Sequence, residues 1–242
     1  MAEALACPRL RRMNAFVSTR GAGPATFAQA LLQGLAPDGG LYVPVEPPSW
    51  GRERPPAGAD FQETARWAAR HMLAGAAEPD VLDRIAAEAL DFPVPLVEVE
   101  PGTFVMELFH GPSMAFKDVG ARFMARAMAA LAGPGPTRTV LVATSGDTGG
   151  AVAAAFHGLR GYRVVALFPR DGISERQRRQ MTTLGGNVLA VAVEGTFDDC
   201  QRLAKASFAD ASLRDACRLT SANSINIGRL VPQTFYYLHA AA

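Results

Sequence analysis

Of the 24 lysine and arginine residues in the chain, only Lys117 and Lys205 are lysine. Lys117 lies in "HGPSMAFKD", His110 to Asp118, after a Gly-Pro turn. Guanidinium stays protonated and cannot offer a free amine to a carbonyl. The Schiff-base lysines of cofactor enzymes need that amine. A lysine that merely escaped a general drift toward arginine is the competing reading.

Two further stretches carry groups suited to anions. "TSGDTGG" follows a strand-like apolar run and opens a helix, with Ser145, Gly146, Asp147, Thr148 and Gly149 at the junction. Its glycines allow close backbone approach, and free N–H groups at a helix start favour an anion. A plain glycine-rich turn with Asp147 as N-cap would read the same way. "SANSINIGR" repeats the strand-to-helix setting with Asn223, Ser224 and Arg229, donors able to grip a phosphate or carboxylate. A capped helix with a surface arginine is the bland alternative. One reactive lysine and two anion-binding helix starts suit a phosphorylated aldehyde cofactor and an acidic substrate; pyridoxal phosphate has that chemistry.

The elements that must hold these groups follow from pattern. After residue 100 the sequence alternates strand-like runs ("TFVMEL", "RTVLVATS", "YRVVALF", "NVLAVAV", "RLTSA") with helical segments at 116–131, 148–159, 174–184, 197–210 and 227–241. Near-continuous apolar strands between helices predict an α/β fold, a parallel sheet with helices on both faces. Ligands of such sheets bind beyond the carboxyl ends of the strands. Residues 1–12 read as a disordered extension. Residues 13–100 read as a mainly helical N-terminal subdomain, with helices at 26–35, 61–74 and 79–90 and a Pro/Gly-rich loop at 47–60. Residues 101–242 form the α/β domain.

Composition narrows the function classes. The 242 residues are 49% hydrophobic with a formal net charge of +1, which gives no electrostatic footprint for nucleic acid. No apolar run approaches the roughly 20 residues of a membrane span. Cys7, Cys200 and Cys217 show neither metal-like spacing nor a disulfide framework, as expected of a cytoplasmic protein.

The ordered set "VSTRG", "PDGGLYVP", "FHGPSMAFKD", "TSGDTGG", "LFPRDGISERQRRQMTT", "NVLAVAVEGTFDDCQ" and "NSINIGRL" closely resembles threonine synthase, in the branch with an N-terminal "STRG" segment. The resemblance implies the tryptophan synthase β-like fold of pyridoxal-phosphate enzymes (fold type II). It also implies conversion of O-phospho-L-homoserine and water to L-threonine and phosphate. By the same match Lys117 is the Schiff-base lysine and a proton carrier, and the Ser145–Gly149 loop faces cofactor and substrate carboxylate. Thr148, Asn223, Ser224 and Arg229 then bind the substrate's phosphate. The glycine-rich cofactor-phosphate loop of the family has no counterpart here, so the resemblance implies an incomplete, C-terminally shortened enzyme. A related phospholyase acting on another phosphorylated amino acid, or an N-terminal fragment without activity, are the alternatives. The resemblance gives no role for Ser18, Thr19 and Arg20.

Overall fold

The computed structural model describes residues 15–46, 48, 52–133 and 135–242. The expected extension at 1–12 lies outside the described residues, as does part of the 47–60 loop. The described chain opens with β1 (Ala15–Ser18), β2 (Ala25–Thr26) and β3 (Tyr42–Pro44), paired antiparallel in the order β2-β1-β3. The sequence predicts a mainly helical region here. Strands of this length are too short for an alternating pattern to register.

Asp38 ties this small sheet together. Its carboxylate accepts from Ser18 Oγ at 2.7 Å, Gly40 N at 2.9 Å and Ala22 N at 2.8 Å, while Arg20 Nη1 donates to the Asp38 carbonyl at 3.2 Å. Thr19 Oγ1 accepts from Leu41 N. The "STRG" segment is thus a clasp around the "PDGG" turn. The Ser18 hydroxyl, with the Gly40 and Ala22 amides, holds the Asp38 carboxyl below its usual range.

Helix α1 (Phe27–Gln33) lies between β2 and β3, and α2 (Phe61–Met72) and α3 (Pro79–Ala89) follow β3. Thr26 with Gln29, and Asp60 with Glu63, form reciprocal caps that fix the first two starts. Pro79 opens α3 at a position where its missing N–H costs nothing.

Strands β4 (Leu96–Glu100) and β5 (Thr103–Met106) form an antiparallel hairpin of their own. This corrects the expectation that "TFVMEL" belongs to the parallel sheet. That sheet comprises β6 (Arg138–Ala143), β7 (Tyr162–Pro169), β8 (Val188–Val193) and β9 (Leu219–Ser221), all parallel in the order β8-β7-β6-β9. Residues 139–142 of β6 are buried in succession, the mark of a strand covered on both faces.

The covering helices are α4 (Lys117–Leu131), α5 (Asp147–Phe156), α6 (Glu175–Thr182), α7 (Phe197–Ala209), α8 (Ala211–Cys217) and α9 (Ile227–Ala241). The sequence reading omits α8, because Asp210 both ends α7 and caps α8. One continuous core holds Phe27, Phe123, Phe156 and Phe235, so the N-terminal helices and the sheet share their packing. Among the described residues no helix is long and apolar enough to cross a membrane. β6 feeds α5 and its neighbour β9 feeds α9, which places two helix starts side by side at the carboxyl edge.

Candidate active site

Lys117 is the first residue of α4, with its side chain 24% exposed. Its Nζ donates to Asp147 Oδ2 at 3.2 Å and lies 4.4 Å from the centroid of the Phe116 ring. The "FKD" and "TSGDTGG" motifs, 30 residues apart, therefore meet through one ion pair. Lys205, by contrast, is exposed on α7.

The start of α5 is organised by a residue outside the predicted set. Thr144 Oγ1 accepts from Gly146 N at 2.9 Å and Gly149 N at 2.8 Å, so Thr144 does the capping that the plain-turn alternative gave to Asp147. Asp147 is the first helical residue and turns outward to Lys117. Its other oxygen accepts from Gln177 Nε2 of α6 at 2.8 Å. The Gln177 amide first, and then Lys117, hold the Asp147 carboxyl below its usual range.

The two glycines are also required by packing. A Cβ on Gly146 would collide with the Gln177 amide, and one on Gly149 with Thr144 and the buried Met181. Gly146 also sits at φ +134, where a side chain is strained. Ser145 remains exposed and Thr148 half-buried. The N–H groups of Asp147 and Thr148 lie in the first turn, where no intrahelical acceptor exists.

Asp118, next to Lys117, behaves as the structural partner its position suggests. It is 1% exposed and accepts from Ser113 N at 2.8 Å, pinning the turn before α4. Burial pushes its carboxyl up, and Oδ1 has no hydrogen-bond partner.

The second helix start corrects the surface-arginine reading. Arg229 is 2% exposed, and its guanidinium donates from Nη1 to Ala222 O at 2.9 Å while Nε has no partner. Among the described residues no carboxylate pairs with it, and burial pushes its pKa down to about 10. The backbone of Arg229 crosses α4 at Gly120, one turn beyond Lys117, where a Cβ would stand 3.2 Å from Arg229 O. Asn223 and Ser224 are exposed and bonded to each other at 3.2 Å. Among the described residues no hydrogen bond joins Asn223, Ser224 or Arg229 to the Lys117–Asp147 pair. Asn226, absent from the predicted set, caps α9 and donates to Leu31 O at 2.9 Å, tying α1 to this edge.

Gln177 is the residue that sequence reasoning misses outright. It sits in "SERQRR", which reads as a solvated helix face, and Arg178 and Arg179 do pair with Glu175 there. Its reach to Asp147 is a tertiary contact with no local signal.

Comparison with known proteins identifies the family. Residues 90–236 match the family model described as pyridoxal-phosphate dependent enzyme, and residues 15–90 match threonine synthase N terminus. A threonine synthase of Haemophilus influenzae is 46% identical over 217 residues, covering 90% of this chain and 51% of that protein. One from Escherichia coli is 43% identical over 219 residues, again with 90% and 51% covered. Among solved structures, a threonine synthase from Brucella melitensis described as PLP-bound superposes with a TM-score of 0.87 at 43% identity, covering 94% of this chain and 51% of that one. The yeast threonine synthase gives a TM-score of 0.84 at 32% identity. The chain spans about half the length of the curated relatives it matches. The fold, the lysine at its helix start and both family matches place this chain in the pyridoxal-phosphate dependent enzyme family, with a threonine synthase N terminus.

Proposed function

We propose that the chain supplies the lysine-bearing half of a threonine synthase, which converts O-phospho-L-homoserine and water to L-threonine and phosphate. The observation that carries this reading is the Lys117–Asp147 contact, which joins the two motifs most suited to the chemistry. The donor set fits pyridoxal phosphate: a partly open primary amine for the aldehyde, with first-turn N–H groups and the exposed Ser145 hydroxyl for an anion. Lys117 would hold the cofactor. When bound, the cofactor supplies the electron sink that acidifies protons near the amino-bearing carbon.

The chain's own residues account for the rest. The Lys117 amine would take protons from the substrate's Cα and Cβ and return them at Cα and Cγ. The Ser145–Gly149 loop orients the substrate carboxylate, with Thr148 reaching toward the phosphate. Asn223, Ser224 and Arg229 bind that phosphate and stabilise charge developing on the leaving oxygen. The unpartnered Nε of Arg229 supports this, since a buried guanidinium without a counter-ion favours an anion. Phosphate leaves Cγ, the proton taken from Cβ is delivered to Cγ, and water then gives its hydroxyl to Cβ and its proton to the released phosphate, which balances the overall reaction.

Turnover tests the reading directly. With the C-terminal half of a related threonine synthase supplied in trans, incubation with O-phospho-L-homoserine is expected to yield threonine and inorganic phosphate in equal amounts, and O-phosphothreonine is expected to yield no product. Phosphate release from O-phosphothreonine alone would overturn the assignment in favour of another phospholyase.

A further inference from the structure

We propose that Gln177 is a positioning residue for Lys117: from α6 it holds the Asp147 carboxylate against the lysine amine and keeps that amine from reacting until the contact opens. Asp147 spends both oxygens on the arrangement, Oδ1 accepting from Gln177 Nε2 at 2.8 Å and Oδ2 from Lys117 Nζ at 3.2 Å. A lysine nitrogen held this way must give up a proton and leave the carboxylate before its lone pair can attack a carbonyl. Gln177 is itself fixed, because its Oε1 accepts from Ser174 N and Ser174 Oγ, each at 3.0 Å.

The surrounding backbone is shaped to this amide. Gly146 lacks the Cβ that would strike Gln177, so the glycine lets α6 close over the start of α5. Helix α6 is otherwise polar, and Met181 is its one fully buried residue. Among the described residues its other side-chain hydrogen bonds to neighbouring elements are Gln180 Nε2 to Ser113 O at 3.0 Å and Arg176 Nη2 to Met114 Sδ at 3.0 Å. A short helix docked mainly by side-chain hydrogen bonds belongs to the part of a fold that opens most readily. Opening α6 would release Asp147, and Asp147 would release Lys117. The consequence for the cofactor rests on the reading of Lys117 given above; the contact itself does not.

The two lysines make the test internal to one molecule. A brief pulse with an N-hydroxysuccinimide ester of acetate, followed by peptide mass spectrometry, gives the acetylation ratio of Lys117 to exposed Lys205. Gln177→Ala and Asp147→Asn are each expected to raise that ratio about threefold, within the range of a partly exposed ion pair. Arg179→Ala breaks an exposed pair with Glu175 on the same helix but touches neither Gln177 nor its cap, and is expected to leave the ratio unchanged. A Gln177→Ala ratio equal to the parent's, or an equal rise in Arg179→Ala, would overturn the proposal. Borohydride trapping of pyridoxal phosphate on Lys117 is a separate readout. Its failure beside a responsive ratio would sink the cofactor reading and leave the positioning role standing.

Discussion

The starts of α5 and α9 share a design in sequence and are built in opposite ways. Each follows a parallel strand, each carries glycine in its first turn, and β6 and β9 are neighbours in the sheet. At α5 the charged group is half-open and already matched, Asp147 lying between Lys117 and Gln177. At α9 the charged group is buried and unmatched, Arg229 being 2% exposed with an orphaned Nε. One site has satisfied its charges within the described chain. The other holds a cation that favours an anion from elsewhere, which fits its proposed role at a phosphate.

What the two starts have in common is the use of their glycines, and the largest expected effect tests that. A Cβ on Gly149 would meet Thr144 and Met181, and one on Gly228 would meet the fully buried Leu31. Gly149→Ala and Gly228→Ala are each expected to cost about 1–3 kcal/mol in urea denaturation, the range for overpacking a core. A neutral Gly149→Ala would break the parallel and return that glycine to the ligand-facing role its sequence suggests.

The smaller effect sharpens the difference. Arg229→Met keeps volume and removes an unpaired buried charge, so the same titration is expected to show a change of less than about 1 kcal/mol or a gain in stability. A loss of about 3 kcal/mol would mean that the guanidinium is a well-paired structural element, and the contrast with Asp147 would fail.

Much of this was legible along the chain, and particular residues say why. Helix α9 falls at 227–241, as its pattern predicts, because Asn226 caps it locally. The starts of α6 and α7 are equally local, fixed by Ser174 with Gln177 and by Thr196 with Asp199. The three strands around Asp38 escaped because each is only two to four residues long, and β1 pairs with β3 across more than 20 residues. "TFVMEL" read correctly as a strand but joined the wrong sheet, since pairing with β4 is a property of register and not of composition. In the site, the reactive types were visible and their partners were not. Lysine stands out where arginine is the rule, yet nothing in "SGDTGG" or "SERQRR" announces that Asp147 will bond Gln177. Thr144 rather than Asp147 accepts from the Gly146 and Gly149 amides, while the Asp147 carboxylate is taken up by Lys117 and Gln177, contacts from distant parts of the chain.

The central claim is that Lys117 is the lysine that holds the cofactor. The most direct measurement incubates the chain and its Lys117→Ala variant with pyridoxal phosphate, follows visible absorption after dialysis, reduces with borohydride and maps the adduct by mass. The account predicts a retained band in the parent, lost on reduction, with the cofactor mass on the peptide carrying Lys117 and no band in the variant. An adduct on Lys205 alone, an equal band in Lys117→Ala, or no adduct on either lysine would contradict it.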